Sequence, residues 1–193
     1  MVYLNNTKQK IIEVAWSMFR EKGFEKTTID DILKGANISK GTFYHYFTSK
    51  DALLSTLADL FDKFYLELRD DLDPEMNSVD KLIYICVSCH RFIEQLVDFE
   101  LLTTLYSSQV RLNGDRHLLD NTRYNYLLVR DIIAEGQRRN EIISDIPAYK
   151  IEHFFMMCTR AIVYDYCIYE ASYSLPEYTQ EVLPNMLQWI RSL

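Results

Sequence analysis

The chain has 193 residues, 48% of them hydrophobic and 25% charged, with five Gly, four Pro and a formal net charge of −7. That composition is globular, and its acidic balance excludes a protein that holds nucleic acid across its whole surface. Residues 1–50 nevertheless carry eight basic and five acidic side chains, so a basic N-terminal quarter on an acidic body leaves room for DNA contact at one end.

The scarcity of Gly and Pro, with no sustained apolar–polar alternation, predicts an all-α fold. A first helix is expected over residues 5–22, with Ile11, Ile12, Ala15, Met18 and Phe19 on one face. Gly23 suits the left-handed position past its end. In the stretch TTIDDILKGANISKGTFYHYFTSK, residues 27–50, Ile29, Ile32, Leu33 and Ala36 fall at i, i+3, i+4 and i+7 of a short second helix. Thr28 stands where its oxygen can cap that helix, and Gly35-Ala36-Asn37 breaks it. Ser39 is a natural N-cap for a third short helix carrying Lys40, Gly41, Thr42, Tyr44, His45 and Tyr46, with Ile38, Phe43 and Phe47 on its buried side. Two short helices around a tight turn form a helix-turn-helix, whose second helix can enter a DNA major groove.

The ordered set Ala15, Phe19, Gly23-Phe24, Thr27-Thr28-Ile29, Ile32, Ala36, Ile38 to Phe47 and Ser49-Lys50 resembles the N-terminal domain of the tetracycline-repressor (TetR) family. The resemblance covers the first quarter of the chain. It departs at His45, where the family commonly has an aromatic, and at Tyr46, where it commonly has His. It implies an N-terminal three-helix DNA-binding domain (residues 1–48) and a larger C-terminal helical domain for effector binding and dimerisation (49–193). Thr28, Ser39, Lys40, Gly41, Thr42, Tyr44, His45, Tyr46 and Lys50 are the expected DNA-binding residues. Lys40 can neutralise a phosphate or donate to guanine, and Thr42 can meet a base edge or a thymine methyl. Tyr44 and Tyr46 can donate to phosphates, and the resemblance implies backbone contacts for Thr28 and Lys50. Gly41 costs about 1 kcal/mol of helix stability against Ala, for which closer approach to DNA is a plausible return.

A long helix is expected from Asp51 to about Leu72, followed by others over residues 78–97, 99–112 and 115–139, with a turn at Asn113-Gly114-Asp115. The next runs from Pro147 to about Ser172 and is apolar nearly all round, so it must be buried on both sides. Pro176 opens a last helix that the interior Pro184 should kink. The resemblance implies that these two C-terminal helices pair with their copies in a homodimer. It also places the effector pocket among the middle helices, where the candidates are Phe61, Phe64, Tyr65, Cys86, Cys89, Phe92, Leu102, Tyr106, Tyr126, Arg130, Phe155 and Thr159.

Together these features predict a dimeric regulator, a repressor released from a palindromic operator on double-stranded DNA by a small aromatic or lipophilic effector. The alternative is a thiol- or metal-responsive regulator sensing through Cys86, Cys89 and His90, which share one helical face, although no fourth ligand is nearby. No catalytic motif rises above chance, so neither an enzyme nor a resident cofactor or metal is expected. With no apolar leader segment, no run long enough to span a bilayer and four Cys, the expected setting is the reducing cytoplasm, away from membranes.

Overall fold

The structure, a computed structural model, describes residues 6–111 and 117–192. Among them the regular elements are helices: α1 (Asn6–Lys22), α2 (Ile29–Ala36), α3 (Lys40–Tyr46), α4 (Asp51–Asp70), α5 (Ser78–Leu96), α6 (Phe99–Arg111), α7 (Tyr124–Arg138), α8 (Ala148–Ile168) and α9 (Leu175–Met186). Single 3-10 turns lie at His117–Leu119 and Gln188–Ile190, and the one strand-like pairing described is a bridge between Ile142 and Arg191. The fold is all-α. The chain divides into two compact units, residues 1–60 with 98–118 and residues 61–97 with 119–193.

In the first unit α1 packs on α2 and α6, and α2 on α3. Ile11, Ala15 and Phe19 of α1 are buried as their spacing predicts, and the Phe19 and Phe24 rings meet edge to face at 4.9 Å. Gly23 adopts φ +83°, the left-handed conformation that ends α1. Thr27 is buried because its hydroxyl donates back to the Gly23 carbonyl at 2.8 Å.

In the second unit α5 packs against α7 and α9, and α8 against α7 and α9. Eleven residues of α5 are buried, so it is the central helix of this unit. Two buried polar groups fix its register. Lys81, only 4% exposed, donates to the Pro74 carbonyl and to Glu135, each at 3.0 Å. Arg139 joins the same network through Glu135 at 2.9 Å and Glu141 at 2.8 Å. His90, also buried, donates from Nδ1 to the Thr179 hydroxyl at 2.6 Å, because that hydroxyl's own proton goes to the Leu175 carbonyl at 2.7 Å.

Burial pushes the His90 imidazole down to about 3. An unfolded imidazole titrates near ~6.5, so below that pH the unfolded chain takes up a proton that the folded chain refuses. Stability from this residue is therefore constant above that value and is lost as pH falls, by up to about 1.4 kcal/mol per unit. Urea unfolding of the wild type should show a loss between pH 7 and pH 5 that exceeds the loss in His90→Gln by about 2 kcal/mol. Gln keeps an N–H for Thr179 but does not titrate, so equal losses in the two proteins would refute the assignment.

Two expected boundaries move. The helix expected from 115 begins at Tyr124. Asp120 instead accepts from the backbone N–H of Thr122 at 2.9 Å and from its hydroxyl at 2.6 Å, a local turn that competes with helix. The helix expected to reach Ser172 ends at Ile168, because Glu170 and Ala171 take left-handed φ of 51° and 54°. Pro184 stands in the last turn of α9, which stops at Met186. The turn at Asn113-Gly114-Asp115, like Asn5 and Leu112, lies outside the described residues.

Candidate nucleic-acid interface

The head is assembled by short-range capping. Thr28 closes a capping box on α2. Its oxygen accepts from the Asp31 N–H at 3.1 Å, and its own N–H and hydroxyl donate to Asp31 Oδ2 at 2.9 and 2.7 Å. Lys22 pairs with the same carboxylate at 2.8 Å. Lys22 and then Thr28 hold the Asp31 carboxyl well below the usual carboxylate range. Asn37 takes φ 53° at the end of α2, and the N–H of Ile38 reaches the Leu33 carbonyl at 3.0 Å. This left-handed residue makes the tight turn. Gly35 lies inside α2, where an added Cβ would stand 2.6 Å from Met18 Cε and 2.8 Å from Val14 Cγ1. It permits the close approach of α1, a different role from the turn expected of it.

Ser39 caps α3, accepting from the Thr42 N–H at 3.1 Å, with the two hydroxyls 2.8 Å apart. Phe43 is the buried residue of α3 and meets Phe47 at 5.9 Å. Lys40, Gly41, Tyr44 and His45 are exposed, and Thr42 and Tyr46 half-buried. An added Cβ at Gly41 would have only Ser39 Oγ within reach, at 3.8 Å, so nothing within the protein demands glycine there.

Lys50 is placed differently from a free surface lysine. Its ammonium donates to the carbonyls of Phe24 at 2.7 Å and Thr27 at 3.1 Å and lies 4.1 Å from the centre of the Phe24 ring. It thus ties the residue before α4 to the turn between α1 and α2, with two of its three protons committed. Thr28 likewise spends its polar groups on Asp31. Asp31 is absent from the sequence-derived set, although the Thr-x-x-Asp spacing of a capping box could have found it.

Residues 11–57 match the family model described as bacterial regulatory proteins, tetR family. The HTH-type transcriptional repressor KstR2 of Mycobacterium tuberculosis is 28% identical over 156 residues, covering 78% of this chain and 76% of KstR2. Over residues 11–57 the chain is of the TetR family. Other TetR-family proteins share the fold. The fatty acid degradation regulator FadR from Bacillus halodurans superposes with a TM-score of 0.73 at 19% identity, covering 94% of this chain and 95% of that one. FadR from Bacillus subtilis, in complex with stearoyl-CoA, gives 0.70 at 20% identity over 95% and 99%. The relatives that match most of the chain are themselves described as transcriptional regulators. None of its described helices is long and apolar enough to cross a membrane.

The effector candidates fall in both units. Leu102 and Tyr106 lie on α6 of the first, the others in the second. There Phe64 stacks on Phe92 at 4.5 Å, and Phe61 meets Phe92 at 6.3 Å. Tyr65 bonds the Cys89 thiol. Phe155 is buried, and Thr159 donates to the Met156 carbonyl at 3.0 Å. Arg130 is bound to Glu152 at 2.6 Å and Tyr126 to Arg160 at 2.9 Å. Arg123, just before α7, is paired with Asp62 through two 3.0 Å bonds.

The thiol and metal reading gains no support. Cys86 and His90 face each other at 3.7 Å, but Cys89 turns to Tyr65, and no described group of three metal-ligating side chains could hold an ion. Burial pushes the Cys89 thiol up to about 11 and the Cys86 thiol well up, which suits inert core cysteines.

Proposed function

We propose that this chain is a dimeric repressor that reads a palindromic operator with α3 and releases it when a small lipophilic or aromatic effector binds the second unit. The observation that carries the reading is the outer face of α3. Lys40, Gly41, Tyr44 and His45 project outward around a glycine that the chain itself does not require, next to a buried Phe43 that holds the helix in place. Thr28 and Lys50 then set the geometry of the head, and any phosphate contact they make comes from what their caps leave over.

The dimer is supported by α8. Tyr149, Met157, Tyr164 and Ile168 are 46–62% exposed, an apolar stripe at helical spacing that a second copy would cover. Two heads related by a two-fold axis read half-sites about one turn (~34 Å) or a multiple apart. The rings of Phe61, Phe64 and Phe92 suit an effector with a hydrocarbon or aromatic part. A fatty acyl thioester of the kind bound by Bacillus subtilis FadR is one such molecule.

Binding of the purified protein to DNA upstream of its own gene, titrated by fluorescence anisotropy across a salt series, tests the first half. Lys40→Ala should reduce the slope of log affinity against log salt by about 1, and Thr42→Ala should relax sequence preference at one position of each half-site. Screening acyl thioesters and aromatic compounds for release tests the second half. Equal affinity for every duplex would sink the operator reading.

A further inference from the structure

The second unit holds a pocket of about 460 Å³ between α7 and α8 whose charge runs against that of the body around it. Acids outnumber bases in this unit, yet the pocket is lined by Arg130, Lys150, His153 and Arg160 against a single carboxylate, Glu152. That carboxylate is spent. It is 5% exposed, and the Arg130 fork takes both of its oxygens, at 2.6 and 3.2 Å. Arg160 donates to the hydroxyl of Tyr126 at 2.9 Å, a neutral partner that leaves its charge uncompensated. Lys150 and His153, one turn apart at the start of α8, make no side-chain hydrogen bond or ion pair with any described residue.

Lys150, exposed, and Arg160, half-buried, are the charges the pocket leaves uncompensated, and an anion with more than one negative charge can meet both. The guanidinium of Arg160 still has unused donors that match phosphate oxygens. A volume of about 460 Å³ leaves room for an organic part beyond one phosphate. Lys150 lies about 20 Å along α8 from Tyr164, beside Tyr149, which also lines the pocket.

We propose that this pocket binds the phosphate-ester end of an organic anion, with Arg160 and Lys150 as its charge partners and His153 at the rim. The proposal deepens the effector reading, on which its regulatory consequence rests.

Calorimetry on the full-length protein tests it with three probes: coenzyme A without an acyl chain, inorganic pyrophosphate and lauric acid. Coenzyme A should bind, and Arg160→Gln and Lys150→Gln should each weaken it at least tenfold, with unchanged melting temperature. Arg91→Gln, a control base outside the pocket, should leave binding unchanged. No coenzyme A binding, or binding indifferent to both pocket substitutions, overturns the proposal. Pyrophosphate binding more tightly than coenzyme A overturns the ester assignment in favour of free inorganic phosphate, and lauric acid binding that depends on Arg160 and Lys150 overturns phosphate in favour of carboxylate. A parallel operator titration separates the two readings. Coenzyme A binding that depends on the pocket, while neither coenzyme A nor its acyl thioesters release DNA, upholds the site and removes its link to the proposed function.

Discussion

Phe43→Ala should abolish specific DNA binding. Phe43 is fully buried and is the buried side chain of a seven-residue helix. A helix that short has no stability of its own, since nucleation costs more than two turns of backbone bonding return. Removing a buried phenyl ring costs roughly 3–5 kcal/mol through lost burial and the cavity left behind. That is a large share of the ~5–15 kcal/mol that holds an ordinary domain together. Anisotropy should show only weak, strongly salt-dependent binding, and limited proteolysis should cut near α3 in Phe43→Ala and not in the wild type. Tyr44→Ala, 45% exposed in the wild type, is the matched control and should stay folded. A Phe43→Ala protein with wild-type affinity would show that α3 is not the reading helix.

The second large effect is expected from Gly136→Leu. Gly136 is buried on α7, where a Cβ would stand 2.7 Å from both Ser78 Cβ and Ile142 Cδ1. Ser78 opens α5, so the contact fixes how closely α5 and α7 approach. Even alanine, which would gain about 1 kcal/mol of helix propensity, must push these atoms apart. Leucine adds three more carbons and should cost about 3 kcal/mol or more, the upper end for overpacking. Thermal melts should rank wild type above Gly136→Ala above Gly136→Leu, and unchanged melting of the leucine variant would contradict the packing.

The head is legible in sequence because its determinants are local. Thr28 and Ser39 cap helices that begin one residue later, Gly23 and Asn37 supply positive φ where the periodicity stops, and Phe43 falls on the apolar side of a short pattern. The body is less so, because its decisive partners are far apart in the chain. Glu152 is an acid in a helix apolar on most sides and needs a cation, but nothing local says that the cation is Arg130, 22 residues earlier. Lys81 finds Glu135 across 54 residues and His90 finds Thr179 across 89. The start of α7 is hidden for the opposite reason. Leu118 and Leu119 keep helical spacing, while the Asp120 carboxylate, accepting from the Thr122 N–H and hydroxyl, diverts the backbone. Gly35 shows a related limit, since a sequence displays a glycine but not the Met18 and Val14 atoms pressed against it.

The bonds from Lys50 to the Phe24 and Thr27 carbonyls bear on how this head could be transplanted. A chimera spliced directly after Phe47 would carry α1 to α3 but leave their tether behind, with two carbonyls stripped of their donor. Swapping specificity between such regulators therefore calls for a junction beyond residue 50, or for a lysine at that point in the recipient scaffold.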